Sequence, residues 1–290
     1  MIEIYHVSDL HIGKNTRKAK LLLKKIKNKF NIGEHENRYL LVTGDIVQDG
    51  RKRQFERAKR ALLPFKEKVH VAPGNHDYGF MGFMYSIRSA KNFDDILCQE
   101  LDINHTYFPK DPYSKTLEDS EGNRVLLIGL NSCSKTPLPF DIAEGIIGDN
   151  QRNDLEQILN NLANQNMPKI VFLHHIPHRR AYGIGMSLKD YKKLMRIVRN
   201  RVDVLAFGHE GKIKDLEEPE TEKLKFSDKD ISRLSSVKQM HIPIRIMKLR
   251  RGTGQGIRYY LDANKSVNEQ ACYRIRIEGD KVSARLMRLD

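Results

Sequence analysis

Along the first 75 residues, short apolar runs alternate with longer stretches whose apolar positions recur every three or four residues. Ile2–Val7 (IEIYHV), Tyr39–Thr43 (YLLVT) and Val69–Ala72 (VHVA) are too short for helices and rich in β-branched and aromatic residues, so they read as buried strands. Between them, Thr16–Phe30 carries Leu21, Leu22, Leu23 and Ile26 on an apolar side. Arg51–Lys66 does the same with Phe55, Ala58, Leu62 and Leu63, and both read as helices over a sheet. Such alternation predicts a mainly parallel sheet with helical crossovers. Ligands of parallel sheets gather at the carboxyl ends of the strands.

The pattern continues less regularly. Gly79–Glu100 reads as loop and helix, with Met81, Phe83, Met84 and Tyr85 as a wall near any site built there. Asn104–Phe108, Arg124–Leu130, Lys169–Leu173 and Val202–Phe207 read as strands, Gln151–Asn164 as an amphipathic helix and Leu188–Arg199 as a basic helix. Pro137–Asn150 reads as a loop. Lys212–Gly256 mixes acidic and basic runs with a flexible glycine stretch, and is expected to be a surface excursion covering the site. Ile257–Leu261, Ala271–Ile277 and Val282–Leu289 alternate polar and apolar residues as antiparallel strands do, the last two joined by the three-residue turn Glu278-Gly279-Asp280. The expected organisation is one domain over 1–290 with the excursion at about 212–256.

Five of the apolar runs end in polar clusters. In order these supply Asp9 and His11, then Asp45, then Asn75 and His76 within Gly74-Asn75-His76-Asp77, then His174 or His175, and finally His209. Asp, His and Asn are hard or borderline donors suited to Mn²⁺, Fe or Zn²⁺, and no cysteine joins them. Asp9 and His11, two apart on extended chain, point to one side, and a carboxylate such as Asp45 can bridge two cations.

Composition narrows the setting. With 39% hydrophobic and 30% charged residues the chain is a globular protein with an ample core. No run approaches the length of a membrane span and nothing resembles a signal peptide, so the expectation is a cytoplasmic protein without membrane association. Cys98, Cys133 and Cys272 are odd in number and far apart, and read as buried small hydrophobes. Lys and Arg exceed Asp and Glu by 51 to 37, a net charge of +14, which favours anionic partners such as phosphate esters or nucleic acid.

The series Asp9-Leu10-His11, Gly44-Asp45, Gly74-Asn75-His76-Asp77, His174-His175 and Gly208-His209 resembles the calcineurin-like metallophosphoesterase superfamily. The likeness runs from Ile2 to about His209, and Ala271–Leu289 resembles that family's C-terminal hairpin. It implies an α/β fold, a four-layer αββα sandwich of two mixed β-sheets, with a dinuclear site at the strand ends holding two divalent or trivalent cations (Mn, Fe or Zn). Asp9, His11 and Asp45 would hold the first metal. Asp45, Asn75, one histidine of the pair and His209 would hold the second. His175 is favoured, because the family's ligand typically stands two residues before the proline, here Pro177.

By the same resemblance His76 stands beside the metals as proton donor. Asp77 would orient it; the alternative for Asp77 is a turn residue bonding its own backbone. Two departures stand out. The family's Gly-His-x-His motif has Gly211 at its second histidine, leaving Glu210 and His241 as substitutes, and Gln48 replaces the acid of Gly-Asp-x-x-Asp, with Asp49 one place on. The implied reaction is attack of a metal-bound hydroxide on a phosphate ester. The His-His-Ile-Pro cluster resembles that of small phosphodiesterases, whereas the basic balance also suits a nuclease. A non-catalytic binding or scaffold member is favoured by Gly211 and opposed by the retained ligands. Oligomeric state has no signature in the chain.

Overall fold

In the computed structural model the residues described are 1–32, 35–80, 82, 84–103, 105–108, 110–134, 144–164, 166–177, 188–209, 245–248 (backbone only), 257, 259–264 and 266–289. Strands are numbered along the chain. One sheet contains β1 (Ile2–Val7), β2 (Arg38–Thr43), β3 (Val69–Ala72), β12 (Ala271–Glu278) and β13 (Lys281–Arg288), in the spatial order β13-β12-β1-β2-β3. The other contains β6 (Tyr113–Glu118), β7 (Arg124–Gly129), β8 (Lys169–Phe172), β9 (Val204–Phe207), β10 (Arg245–Lys248) and β11 (Tyr259–Asp262), in the order β10-β11-β9-β8-β7-β6. A small hairpin joins β4 (Gly79–Phe80) to β5 (Met84–Tyr85).

β1, β2 and β3 are parallel, as the crossover helices α1 (Thr16–Phe30) and α2 (Lys52–Leu62) require, while β12 pairs antiparallel with β1. The second sheet is likewise mixed: β7, β8, β9 and β11 are parallel, with β6 and β10 antiparallel at its edges. Side-chain alternation sorts the layers. Ile2, Ile4, Ile275 and Ile277 share one core with Val125, Leu127, Phe172 and Val204 of the second sheet. Tyr5, on the opposite face of β1, stacks on Phe30 of α1 with ring centroids 4.0 Å apart. On the far side, Leu126, Ile128, Val171 and Leu205 pack against Leu155 and Leu159 of α5 (Asp149–Asn160) and Leu194 and Val198 of α6 (Tyr191–Val198). The layers run helix, sheet, sheet, helix, which is the expected αββα sandwich.

Several elements differ from expectation, each for a local reason. Residues 105–108 are not a strand: the Tyr107 and Phe108 amides donate to the Asp94 carboxylate, and the Tyr107 carbonyl accepts from Asn131. Tyr113–Glu118 takes the sheet edge instead. The expected helix Gln151–Asn164 stops at Asn160, and Leu162, 78% exposed, lies in a separate 3₁₀ turn. Leu21 and Leu63 are exposed rather than on the buried faces of α1 and α2. The turn between β12 and β13 has two residues, since Glu278 pairs with Lys281, and Gly279 takes a left-handed φ of 58°. β11 is parallel to β9 and joins the second sheet, so the three C-terminal strands are divided between sheets. Of the expected excursion at 212–256, only β10 lies among the described residues. Met81 and Phe83 of the expected wall lie outside them; Met84 is exposed, and Tyr85 packs edge-on against Tyr78. Among the described residues no helix is long and apolar enough to cross a membrane. The three cysteines are buried and free.

Two buried histidines in the first sheet set an acid limit. His6 bonds Thr43 Oγ1 at 2.9 Å and His70 bonds the Tyr113 hydroxyl at 2.7 Å. Burial pushes both imidazoles down to about 3, with Lys115 and Lys68 adding to the effect on His70. Folded, both stay neutral; unfolded, they take up protons below about pH 6.5. Their stabilisation is therefore complete above about 6.5 and is lost as pH falls toward 3. At pH 5 the loss is about 2 kcal/mol per histidine. Thermal unfolding should accordingly show a smaller drop in Tm between pH 7 and 5 for His6→Phe/His70→Phe than for the native chain. Parallel curves would contradict this account.

Candidate metal centre

Each of the five polar clusters lies just past a strand's carboxyl end, and the turns that stop the strands also aim the side chains. Asp9, His11, Asp45 and His209 have left-handed backbones, with φ of 55°, 44°, 50° and 77°. Non-glycine residues take this conformation at a cost of about 1–3 kcal/mol, which the surrounding hydrogen bonds offset. The Asp9 amide donates to the Gly44 carbonyl (3.1 Å) and that of His11 to the Asp45 carbonyl (2.8 Å), locking the first two clusters together. The second sheet is tied in by His209 N–H on Asp9 Oδ2 (3.1 Å) and His174 Nδ1–H on the Thr43 carbonyl (2.9 Å). Close approach demands glycine at two of these turns. A Cβ on Gly44 would run into the His174 ring, and one on Gly74 into the Asp45 carboxylate.

Asp45 stands at the centre, buried, and its two oxygens face different clusters. Oδ2 lies 3.7 Å from His11 Nε2, which is itself 3.8 Å from Asp9 Oδ1. Oδ1 lies 3.3 Å from His174 Nε2. His174 Nε2 in turn is 3.0 Å from Asn75 Oδ1 and 2.9 Å from His209 Nδ1. Donors sharing one cation at about 2.0–2.2 Å sit about 3–3.5 Å apart, so both groups approach the spacing a metal imposes.

The chemistry of the second group tests that fit. His174 Nδ1 gives its hydrogen to Thr43, which leaves the Nε2 lone pair pointing inward. Asn75 Nδ2 donates to the Gly82 carbonyl (3.0 Å), which turns the amide oxygen toward the same point. Lone pairs of Asn75, His174, His209 and Asp45 thus converge. One proton serves at most one of these contacts at full strength, whereas a cation serves all four. The donor set is oxygen and nitrogen only and fits Mn²⁺, Fe or Zn²⁺. Burial works against charge here, yet His174, with His76 and His11, holds the Asp45 carboxyl well below the usual carboxylate range. Burial likewise opposes protonation of His174, but Asp45 outweighs it and holds that imidazole up at about 9. Burial and the neighbouring His174 push His209 down to about 3.

Of the histidine pair, His174 is the one brought to Asp45, Asn75 and His209. His175, the favoured residue on sequence, instead bonds Ser132 Oγ through Nδ1 (2.7 Å) and packs against the His209 ring at 4.7 Å. Burial, then His209 and His174, push its pKa well down. The side chains of neighbouring strand-end residues alternate in direction, and the sequence fixes no register for that alternation.

His76 is half-buried and sits edge-on to His11, ring centroids 4.8 Å apart, with its ring nitrogen, His11 and Asp45 grouped within 4.8 Å. Its orienting partner is not Asp77. His76 Nδ1 donates to the backbone carbonyl of Gln48 (2.7 Å), leaving Nε2 for the site. Asp77 is fully buried and accepts from the amides of Gly74 (2.9 Å), Ile46 (3.2 Å) and Val47 (2.8 Å). It caps the single-turn helix α3 (Asn75–Tyr78) and clips that turn to the loop after β2. Burial and the Asp45 charge push its carboxyl up, against those three donors. The role of orienting His76 is thereby corrected, and the turn-residue alternative describes Asp77. Sequence reasoning missed the Gln48 carbonyl and the Thr43 carbonyl that fixes the His174 tautomer, because a backbone acceptor leaves no mark in residue identity. Asp49 is bonded to Gln54 of α2. Glu210, Gly211 and His241 lie outside the described residues.

A two-sheet sandwich carrying such a centre at its strand ends has the architecture of a metallophosphoesterase. The family profile of calcineurin-like phosphoesterases matches residues 2–212, and the chain belongs to that family. Among solved structures, a dimetal phosphatase from Danio rerio is similar with a TM-score of 0.56 and 10% identity, covering 100% of this chain and 99% of that one. The calcineurin-like phosphoesterase YfkN from Bacillus subtilis gives 0.51 and 13%, over 99% and 90%. GAP50, the anchor in the inner membrane complex of Plasmodium, gives 0.54 and 12%, over 98% and 84%. At these identities the likeness is one of fold. No match was found among curated proteins.

Proposed function

We propose that this protein is a metal-dependent phosphodiesterase with a dinuclear centre. The observation that carries the reading is the division of Asp45: one oxygen faces His11 and Asp9, the other His174, Asn75 and His209. Asp9, His11 and Asp45 would hold one cation, and Asp45, Asn75, His174 and His209 the other, with His174 in the place first given to His175. Bound there, two cations would draw charge from the phosphoryl oxygens and lower the pKa of water near neutrality.

The remaining work falls to the chain. His76, held through Nδ1–H by the Gln48 carbonyl, presents Nε2 and, as the imidazolium, donates the Nε2 proton to the leaving oxygen as the phosphorus–oxygen bond breaks, ending as the neutral ring. Asp77 positions the turn that carries Asn75 and His76. Its three amide bonds make it a positioning residue.

Hydrolysis of bis(p-nitrophenyl) phosphate, cyclic nucleotides and single-stranded DNA, with Mn²⁺ and with EDTA, tests the reading. Diester cleavage that EDTA abolishes is the expected result. Cleavage of DNA alone would convert the enzyme to a nuclease. Absence of both bound metal and hydrolysis would favour a binding or scaffold role, the reading that Gly211 supports and that the shared fold of GAP50 accommodates. The histidine assignment has its own test. His174→Ala should lose about one metal equivalent, whereas His175→Ala should retain both and lose less activity. The reverse pattern restores His175 as the ligand.

A further inference from the structure

We propose that the exposed faces of α1 and α2 form a binding surface for nucleic-acid backbones. The proposal goes beyond the hydrolytic reading and stands or falls separately from it. α1 carries seven Lys and Arg and no Asp or Glu; α2 carries five against the single Glu56. Two helices therefore hold eleven of the fourteen net positive charges of the chain.

The charges are arranged as well as numerous. Exposed Arg17, Lys20 and Lys24 recur at helical spacing on α1, and exposed Arg53, Arg57 and Arg60 do so on α2, so each helix presents a basic stripe to solvent. None of these six has an ion-pair partner among the described residues. The two helices pack side by side, and their starts meet where Gly13 abuts the Gln54 side chain. Both helices start a few residues past turns of the metal centre, α1 after His11 and α2 after the loop carrying Asp45 and Gln48. The positive ends of both helix dipoles lie there too. Beside them, Arg51 lies 5.2 Å from the centroid of the exposed Phe80 ring, a face on which a base can stack.

Charge alone suits several polyanions, and the packing selects among them. A helix that lies on a membrane inserts its apolar side. In α1 that side, Ala19, Leu22, Ile26 and Phe30, is buried against the sheet. An extended polymer of phosphates can instead follow a stripe without inserting anything. Its backbone is led toward the metal centre.

Fluorescence anisotropy with a labelled single-stranded oligodeoxynucleotide in EDTA tests this. EDTA prevents cleavage, so the outcome is independent of whether the protein hydrolyses anything. Affinity should fall by about 10²-fold between about 50 and 200 mM salt, as expected when several phosphates are neutralised. K20E/K24E/R57E should bind at least about tenfold more weakly, and the neutral K20Q/K24Q/R57Q, which guards against misfolding, about threefold or more. Hydrolysis of bis(p-nitrophenyl) phosphate should stay within about twofold in both variants, because neither touches the metal centre. Absence of binding at low salt, or variants that bind as well as the native chain, would overturn the proposal. Tighter binding to phosphatidylserine vesicles than to the oligonucleotide would overturn it in favour of a lipid surface.

Discussion

Asp45→Asn is expected to lower metal-dependent turnover by more than about 10³-fold and to leave the protein with less than one equivalent of tightly bound metal. Asparagine keeps the shape of the side chain, and its oxygen can still accept the His76 amide that Asp45 Oδ1 accepts at 3.0 Å. What it loses is the charge and one of two donor oxygens. Those oxygens lie 3.7 Å from His11 Nε2 and 3.3 Å from His174 Nε2, so the substitution strikes both clusters at once. His174 also loses the carboxylate that holds its pKa up. Metal analysis by plasma mass spectrometry and turnover of bis(p-nitrophenyl) phosphate provide the measurement, with circular dichroism confirming the fold. Two full equivalents in the variant would end the account of Asp45 as the shared ligand.

His76→Ala should cut turnover by about 10²–10⁴-fold while both metals stay bound. The distinction matters because the His76 ring lies near His11 and Asp45 and offers a nitrogen to the same group. A proton donor and a metal ligand predict different metal contents. The donor also predicts that the loss depends on the leaving group. A p-nitrophenolate departs without a proton, so the variant should lose less with that substrate than with an alkyl phosphodiester, whose alkoxide needs one. Loss of a metal equivalent, or equal losses on both substrates, would remove the proton-donor role.

The strand-ending clusters were legible because their logic is local. A buried apolar run followed by Asp-x-His, Gly-Asp or Gly-Asn-His-Asp announces a turn at a sheet end, and strands of a parallel sheet end on the same side. Asp9, His11, Asp45, Asn75 and His209 are brought together as that argument expects. Asp77 illustrates its limit. Adjacency to His76 suggested a partner for the ring, but three backbone amides from two loops claim its oxygens, and those amides come together only in the folded chain. The sequence leaves the choice between His174 and His175 open for a related reason. Both follow β8, both are buried, and a one-residue change in the turn after a strand exchanges which ring faces the first sheet.

Residue types and their spacing determined the strand–helix alternation, the place of the site and its oxygen and nitrogen donors, because hydrophobic period and ligand chemistry are properties of short segments. The two-sheet sandwich was implied by the family resemblance that the motifs carry. Only the tertiary structure shows which histidine of the pair stands beside Asp45, Asn75 and His209. The two sheets meet face to face, Thr43 of one fixes the tautomer of His174 of the other, and Asp45 ends between them with one oxygen for each cluster. That arrangement depends on angles between strands far apart in the chain.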